Sequence, residues 1–294
     1  MKNTIAVMNT KGGVGKSTLV MALAETFSAY EDKSVLVIDS DSQASVSSML
    51  MNTADLYQIQ SGGKTIVEYL VSSVLNNHHE EWRNYVVPQI SDVDDAETVL
   101  VLPSDVQLTL FEREVSREAQ HARLRTVIGN LIRQMHASFD LILVDCPPGL
   151  SVLTESWLRE AHFHITPTKA DYISTCGLEV FRRFKQLHPE MGFAENLGVV
   201  INMKDVTSPA DEEYHRWLLQ DRENMCFDNI IPRMTAMQDA SRFRDDTRSY
   251  AAKYPGVAGK ALRGLAKEIL LRLPHDENNE ISEAQRPAVV PSAG

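Results

Sequence analysis

The run Thr10-Lys11-Gly12-Gly13-Val14-Gly15-Lys16-Ser17-Thr18 holds the densest chemistry in the chain. Its glycines let backbone N–H groups turn inward and approach phosphate oxygens. The helix that opens behind them adds the positive end of its dipole. An apolar strand pattern precedes the loop and a helical pattern follows it, the context a phosphate-binding loop requires. There Lys16 bridges β- and γ-phosphates and the Ser17 hydroxyl reaches Mg²⁺, so a nucleotide site is expected. Carboxylates recur at the ends of two further apolar runs. Asp39 and Asp41 follow Val35-Leu36-Val37-Ile38, and Asp145 follows Leu141-Ile142-Leu143-Val144. Acids at the C-terminal ends of central strands lie where open α/β sheets bind ligands.

Short β-branched runs and longer helical patterns alternate along the chain. Strands are expected at Thr4–Met8, Val35–Ile38, Val99–Leu102, Leu141–Val144, Phe163–Thr166, Val199–Asn202 and Asn229–Ile231. They are apolar on both faces, as strands buried in a parallel sheet are. Helices are expected at Leu19–Tyr30, Asp105–Arg117, Ala119–His136, Leu178–Leu187 and Asp211–Arg222, with a short one around Thr65–Leu75. This alternation predicts an α/β fold, a doubly wound, mostly parallel twisted sheet with helices on both faces. Asn52–Gly63 and Asn76–Asp95 lack periodicity and read as surface connections. Residues 1–273 are expected to form one domain. Residues 274–294, rich in charge, Pro and small residues, are expected to be a disordered tail.

Bulk properties remove several classes. The 294 residues are 43% hydrophobic and 23% charged, the composition of a globular chain with a real core. No run approaches a membrane span. The N-terminus has too short an apolar stretch for a signal peptide. Cys146, Cys176 and Cys226 form no CxxC pair, which argues against a disulfide framework or zinc site and fits a reducing cytoplasm. A net charge of −11 excludes a uniformly basic nucleic-acid binder but not a local basic face.

The loop variant KGGVGKST, with Lys11 ahead of the usual Lys16, resembles that of the ParA/MinD family of deviant Walker ATPases. In that family the first lysine reaches across a nucleotide-sandwich homodimer to the partner's phosphates. Asp39-Ser40-Asp41-Ser42-Gln43 is similar to the family's DxDPQ motif, with Ser42 in place of proline. Phe139–Gly149 resembles its Walker B strand and Pro-Pro-Gly switch. The resemblance continues through Thr166-Pro167-Thr168, Gly177-Leu178, the Gly198–Met203 strand and Ile231-Pro232-Arg233. It implies an ATPase whose ATP is held by residues 11–18, with Mg²⁺ bound through Ser17, Asp39 and Asp145. Lys11, Lys16 and Asp41 would be catalytic, Asp41 positioning the attacking water. Asn202 would recognise adenine, with Pro232 and Arg233 lining its pocket. No helix-turn-helix precedes the loop, as in the family's short form.

Family members that segregate DNA carry arginines just after the Asn-Met strand and past the Ile-Pro-Arg segment; here Asp205-Val206-Thr207 and Thr235-Ala236-Met237 stand there. Residues 233–272 nevertheless hold nine basic and four acidic residues, a net of +5. Arg242, Arg244, Arg248, Lys260 and Arg263 are the candidate contacts to non-specific double-stranded DNA, which would make the protein nucleoid-associated. Three readings stay open. The first is a partitioning ATPase stimulated by a ParB-like centromere-binding protein. The second is an ATPase that positions a protein complex or membrane-associated cargo without binding DNA. The third is a metabolic or redox ATPase, which would need a cysteine pair across the dimer. The amphipathic stretch Leu262–Leu273 is expected to dock on the sheet rather than on a membrane, because an acidic tail follows it.

Overall fold

The computed structural model describes residues 3–274; most of the expected tail, residues 275–294, lies outside them. The strands are β1 (Thr4–Val7), β2 (Val35–Asp39), β3 (Val87–Pro88), β4 (Val99–Leu102), β5 (Leu141–Asp145), β6 (Phe163–Thr168), β7 (Glu195–Lys204) and β8 (Ile231–Pro232). They form one sheet in the order β3-β4-β2-β5-β1-β6-β7-β8. Every pairing is parallel except β3 with β4. The α-helices are α1 (Lys16–Glu31), α2 (Ser45–Leu50), α3 (Thr53–Ser61), α4 (Ile66–Leu70), α5 (Leu108–Val115), α6 (Glu118–Met135), α7 (Val152–Glu160), α8 (Tyr172–Leu187), α9 (Pro209–Gln220), α10 (Thr235–Ala240), α11 (Tyr250–Lys253) and α12 (Val257–Arg272).

Strand alternation builds the two cores. Ile5, Val7, Val35, Val37, Leu141 and Leu143 face α1 and α12, where Leu19, Leu23, Phe27, Leu262, Leu265 and Ile269 are fully or almost fully buried. Ala6, Met8, Leu36, Ile38, Ile142 and Val144 face the other way, toward residues of α4 to α7 such as Leu70, Phe111, Leu131 and Trp157. Period-two alternation with both sets apolar is what helices on both faces demand. The expected doubly wound α/β sheet is what forms. Its winding brings β5 between β2 and β1, so the ends of these three strands lie side by side.

The differences are local. Asn52–Gly63, expected to be a connection, is mostly helix α3. Asn52 caps it by accepting from the Asp55 N–H at 2.8 Å, and only Leu56 is buried, so no apolar stripe advertises it. Residues 76–95 contain the edge strand β3, whose Pro88 suits an edge because proline cannot donate to a ladder. Helix α8 begins at Tyr172, ahead of the expected Leu178, because Asp171 caps it through the Ser174 N–H. Helix α12 is docked on the sheet, as expected. Among the described residues, no helix is long and apolar enough to cross a membrane.

Candidate nucleotide site

The phosphate loop leaves the end of β1 and is held by its neighbours. Asn9 Nδ2 donates to the Pro167 carbonyl at 2.7 Å, and Asn9 Oδ1 accepts from the Lys11 N–H at 2.8 Å. Gly13 and Gly15 take φ of 72° and 81°, a left-handed conformation that glycine adopts without steric cost. Gly15 is the N-cap of α1 and offers no side-chain cap, so the first N–H groups of α1 are left for a ligand. Lys16 is only 7% exposed, and its ammonium donates to the Lys11 carbonyl at 3.4 Å. Burial lowers its pKa, against the pull of Asp145, Cys146 and Asp41. A buried cation in a cradle of free N–H groups is a site for a polyanion.

Opposite it, Asp39 and Asp145 are register partners at the ends of β2 and β5, both fully buried. Asp39 is held: Oδ2 accepts from the Ser47 N–H at 3.0 Å and hydroxyl at 2.6 Å, and Oδ1 from the Asp41 N–H at 3.1 Å. Burial still pushes its pKa up to about 6. Asp145 is different, because neither of its carboxylate oxygens accepts a hydrogen bond of ordinary geometry. Burial and the Asp39 charge push it well above the usual carboxylate range, more than Ser17 and Lys16 lower it. An orphaned buried carboxylate beside a serine hydroxyl and a phosphate cradle fits Mg²⁺, which takes one or two protein oxygens and completes its shell with phosphate and water. Among the described residues no group of three or more His, Cys, Asp and Glu forms a metal cage. Asp41, half-buried, sits in a turn in which its Oδ1 accepts from the Gln43 N–H at 3.0 Å. Trp157 Nε1 steadies the segment by donating to Ser40 Oγ at 2.6 Å.

Beside the loop, a cavity of about 140 Å³ is lined by Gly15, Thr18, Leu19, Asn202, Met203, residues 231–234, Met237, Gln238 and Ser241. The structure therefore brings Asn202, Pro232 and Arg233 together next to residues 15–18. Asn202 itself faces the protein: its Nδ2 donates to the Val14 carbonyl at 2.8 Å and its Oδ1 accepts from the Met203 N–H at 3.0 Å. Ser47, Trp157 and Gln238 were not visible as site residues, since each reaches the site from an element whose sequence carries no motif.

Lys11 is half-buried on the rim, over Gly177 of α8. Among the described residues its ammonium forms no ion pair. The basic stretch is more committed. Lys253 is fully buried between Glu25 at 2.7 Å and Asp92 at 2.6 Å. Arg248 pairs with Asp92 at 2.9 Å and Arg244 with Asp246 at 2.6 Å. Arg263 lies over the Tyr30 ring at 4.8 Å, and Arg272 holds the Leu197, Met225 and Cys226 carbonyls. Arg242 and Lys260 make no side-chain ion pair among the described residues. Cys146 is buried, with its thiol pushed up by burial, while Cys176 is exposed on α8.

Comparison with known proteins agrees with this geometry. The chromosome partitioning protein ParA of Caulobacter vibrioides is 26% identical over 279 residues, covering 91% of this chain and 94% of that one. The chromosome-partitioning ATPase Soj of Treponema pallidum is 26% identical over 276 residues, covering 92% and 98%. Among solved structures, apo McdA of Cyanthece has a TM-score of 0.72 at 18% identity, covering 91% of this chain and 99% of that one. A variant of McdA solved with ATP has a TM-score of 0.70 at 18% identity, covering 94% and 98%. A family model described as an AAA domain matches residues 2–195, well over half of the chain. With that match, and with a second lysine opening its phosphate loop, the chain belongs to the AAA-domain family of P-loop ATPases, among its ParA-type members.

Proposed function

We propose that the protein is an ATP-driven partitioning switch whose ATP-bound homodimer holds non-specific DNA and lets go after hydrolysis. In this reading the free N–H groups of residues 12–16 and the Lys16 ammonium bind the β- and γ-phosphates. Ser17 and, through water, Asp145 hold Mg²⁺, with Asp39 supporting that side; the ion neutralises phosphate charge. Asp41 orients the attacking water. Lys11 crosses to the partner's nucleotide, so ATP favours the dimer because it binds that state better. A ParB-like protein accelerates turnover; an arginine supplied in trans is worth about 10³–10⁵ in rate in related phosphoryl transfers.

The observation that carries the reading is the pairing of a buried, anion-seeking Lys16 with a rim lysine, Lys11, that has no ionic partner among the described residues. The ParA and Soj names of the relatives support the partitioning role. The test is binding of the Asp41→Ala protein to random-sequence duplex DNA with ATP, ADP or neither, at low and moderate salt. ATP-dependent, salt-sensitive binding is expected; no binding with any nucleotide overturns the DNA step. A second reading, in which the ATP dimer positions a protein cargo, is favoured by the internal pairing of Arg244, Arg248 and Lys253. It removes charge from the stretch that would hold phosphates. ATP-dependent dimers indifferent to DNA would support it.

A further inference from the structure

Away from the phosphate loop, β6 and β7 floor a second cavity, of about 290 Å³, beneath the latter part of α8. Val199 lies below it, Leu178 and Phe181 come from α8, and Met225 closes it from the segment after α9. That last wall is fixed in place. Gly198 takes φ of 146°, and a Cβ there would collide with the Met225 carbonyl, so only glycine lets the segment close on β7. Arg272 of α12 donates to the same carbonyl.

Three cations line the cavity, and they are not equivalent. Arg182 is already neutralised: its guanidinium pairs with Glu179 at 3.4 Å, with Glu223 at 3.5 Å and with Asp221. Arg222 is exposed to solvent. Lys185 is half-buried, with its ammonium 5.0 Å from the centre of the Phe181 ring. Among the described residues that ammonium forms no ion pair and no hydrogen bond. Burial lowers its pKa and the Arg182 charge adds to the effect, while Glu223 opposes it. A ring face is a weak substitute for a counter-ion at a group that has lost part of its water.

We propose that this cavity binds a small amphipathic carboxylate, with the anionic head on the Lys185 ammonium and the apolar body among Phe181, Val199 and Met225. The volume lies at the lower end of the range for small-molecule pockets, about 300–1,000 Å³, which suits a medium-chain or aryl acid. A polyanion does not suit it, because Glu223 lines the same cavity and Asp221 stands beside it on Arg182. One negative charge is what the unpaired ammonium can accept. The proposal goes beyond the nucleotide reading and does not depend on it.

The experiment titrates octanoate, phenylpropionate, octanamide and inorganic phosphate into the full chain by calorimetry, and repeats the series on Lys185→Met. Each carboxylate should bind saturably at one site. Octanamide keeps the body without the charge and phosphate keeps charge without the body, so both should bind at least about tenfold more weakly. Lys185→Met should weaken both carboxylates by about tenfold and erase the preference for octanoate over octanamide. Lys185→Gln, which also removes the charge, replaces the methionine variant if that one does not fold. No saturable binding of either carboxylate, equal affinity for octanoate and octanamide, or unchanged octanoate affinity in a folded Lys185 variant overturns the proposal.

Discussion

Lys11 rests on Gly177: a Cβ there would stand 3.1 Å from Lys11 Cγ and 3.1 Å from Thr10 Oγ1. Thr10 Oγ1 in turn donates to the Gly177 carbonyl at 3.1 Å. Helix α8 thus sets where the first lysine of the loop stands, while Lys16 is set by β1 and α1. Gly177→Val should displace Lys11 without touching Lys16, and valine costs the helix nothing relative to glycine. ATP-dependent dimerisation and hydrolysis should fall by one to two orders of magnitude, on the order of what an ångström of misplacement costs. Monomer affinity for ATP should stay within about twofold, well under 1.4 kcal/mol. Light scattering with ATP, beside a nucleotide titration, checks both halves. An equal loss of ATP affinity would show that α8 shapes the whole loop.

Lys253 offers a test of stability rather than of the cycle. Its ammonium is fully buried between Glu25 and Asp92, and Glu25 Oε2 also accepts from the Tyr254 hydroxyl at 2.6 Å. Lys253→Met fills similar volume but leaves buried Glu25 without a cation and Asp92 with Arg248 alone. A loss of about 3–5 kcal/mol is expected, because breaking a buried pair strands its partner. Denaturant unfolding of the two proteins measures it. A loss below about 1 kcal/mol, the size of an exposed pair, would mean that water reaches the cluster.

That cluster marks where sequence reading stops. Residues 233–272 read as a basic face because charge can be counted along a chain, whereas the acids that neutralise Lys253 lie 228 and 161 positions away. The hydrogen bond from Asn202 to the Val14 carbonyl is hidden for the same reason, since its partner is 188 residues distant. What was legible had local causes. Glycine spacing located the loop, and β-branched apolar runs marked the central strands to within one or two residues at most ends. Helix α3 was missed because it buries one residue, and β3 because two residues at an edge make no pattern.

If DNA is the surface, the stretch should divide into two kinds of residue. Arg242 and Lys260 have no ionic partner among the described residues. Alanine at either should weaken ATP-dependent DNA binding and lower the slope of log affinity against log salt by about 1. Arg248→Ala should instead lower the melting temperature, since Asp92 loses a partner at 2.9 Å. The slopes come from filter binding or anisotropy at several salt concentrations. Equal slopes for wild type and both exposed variants would remove these residues from the interface.

His164 predicts a dependence of stability on acid. Its ring is 1% exposed on β6, Nδ1 hydrogen-bonds the Ala194 carbonyl at 2.9 Å, and Phe181 stands edge-on at 5.5 Å. Burial, reinforced by the Lys185 charge, pushes its pKa down to about 3. The unfolded chain takes up a proton near pH 6.5, about the free imidazole value, while the native state does not until about pH 3. Between those limits the unfolded state binds more protons, so stability falls as pH falls. His164→Asn keeps a donor for Ala194 and cannot titrate. Relative to wild type it should gain about 1.4 kcal/mol per pH unit below about pH 6, beyond a constant offset from its own packing. Urea unfolding of both proteins at pH 7, 6 and 5 reads the difference directly. A difference that does not change with pH would mean that the imidazole titrates normally, and that its site is wet.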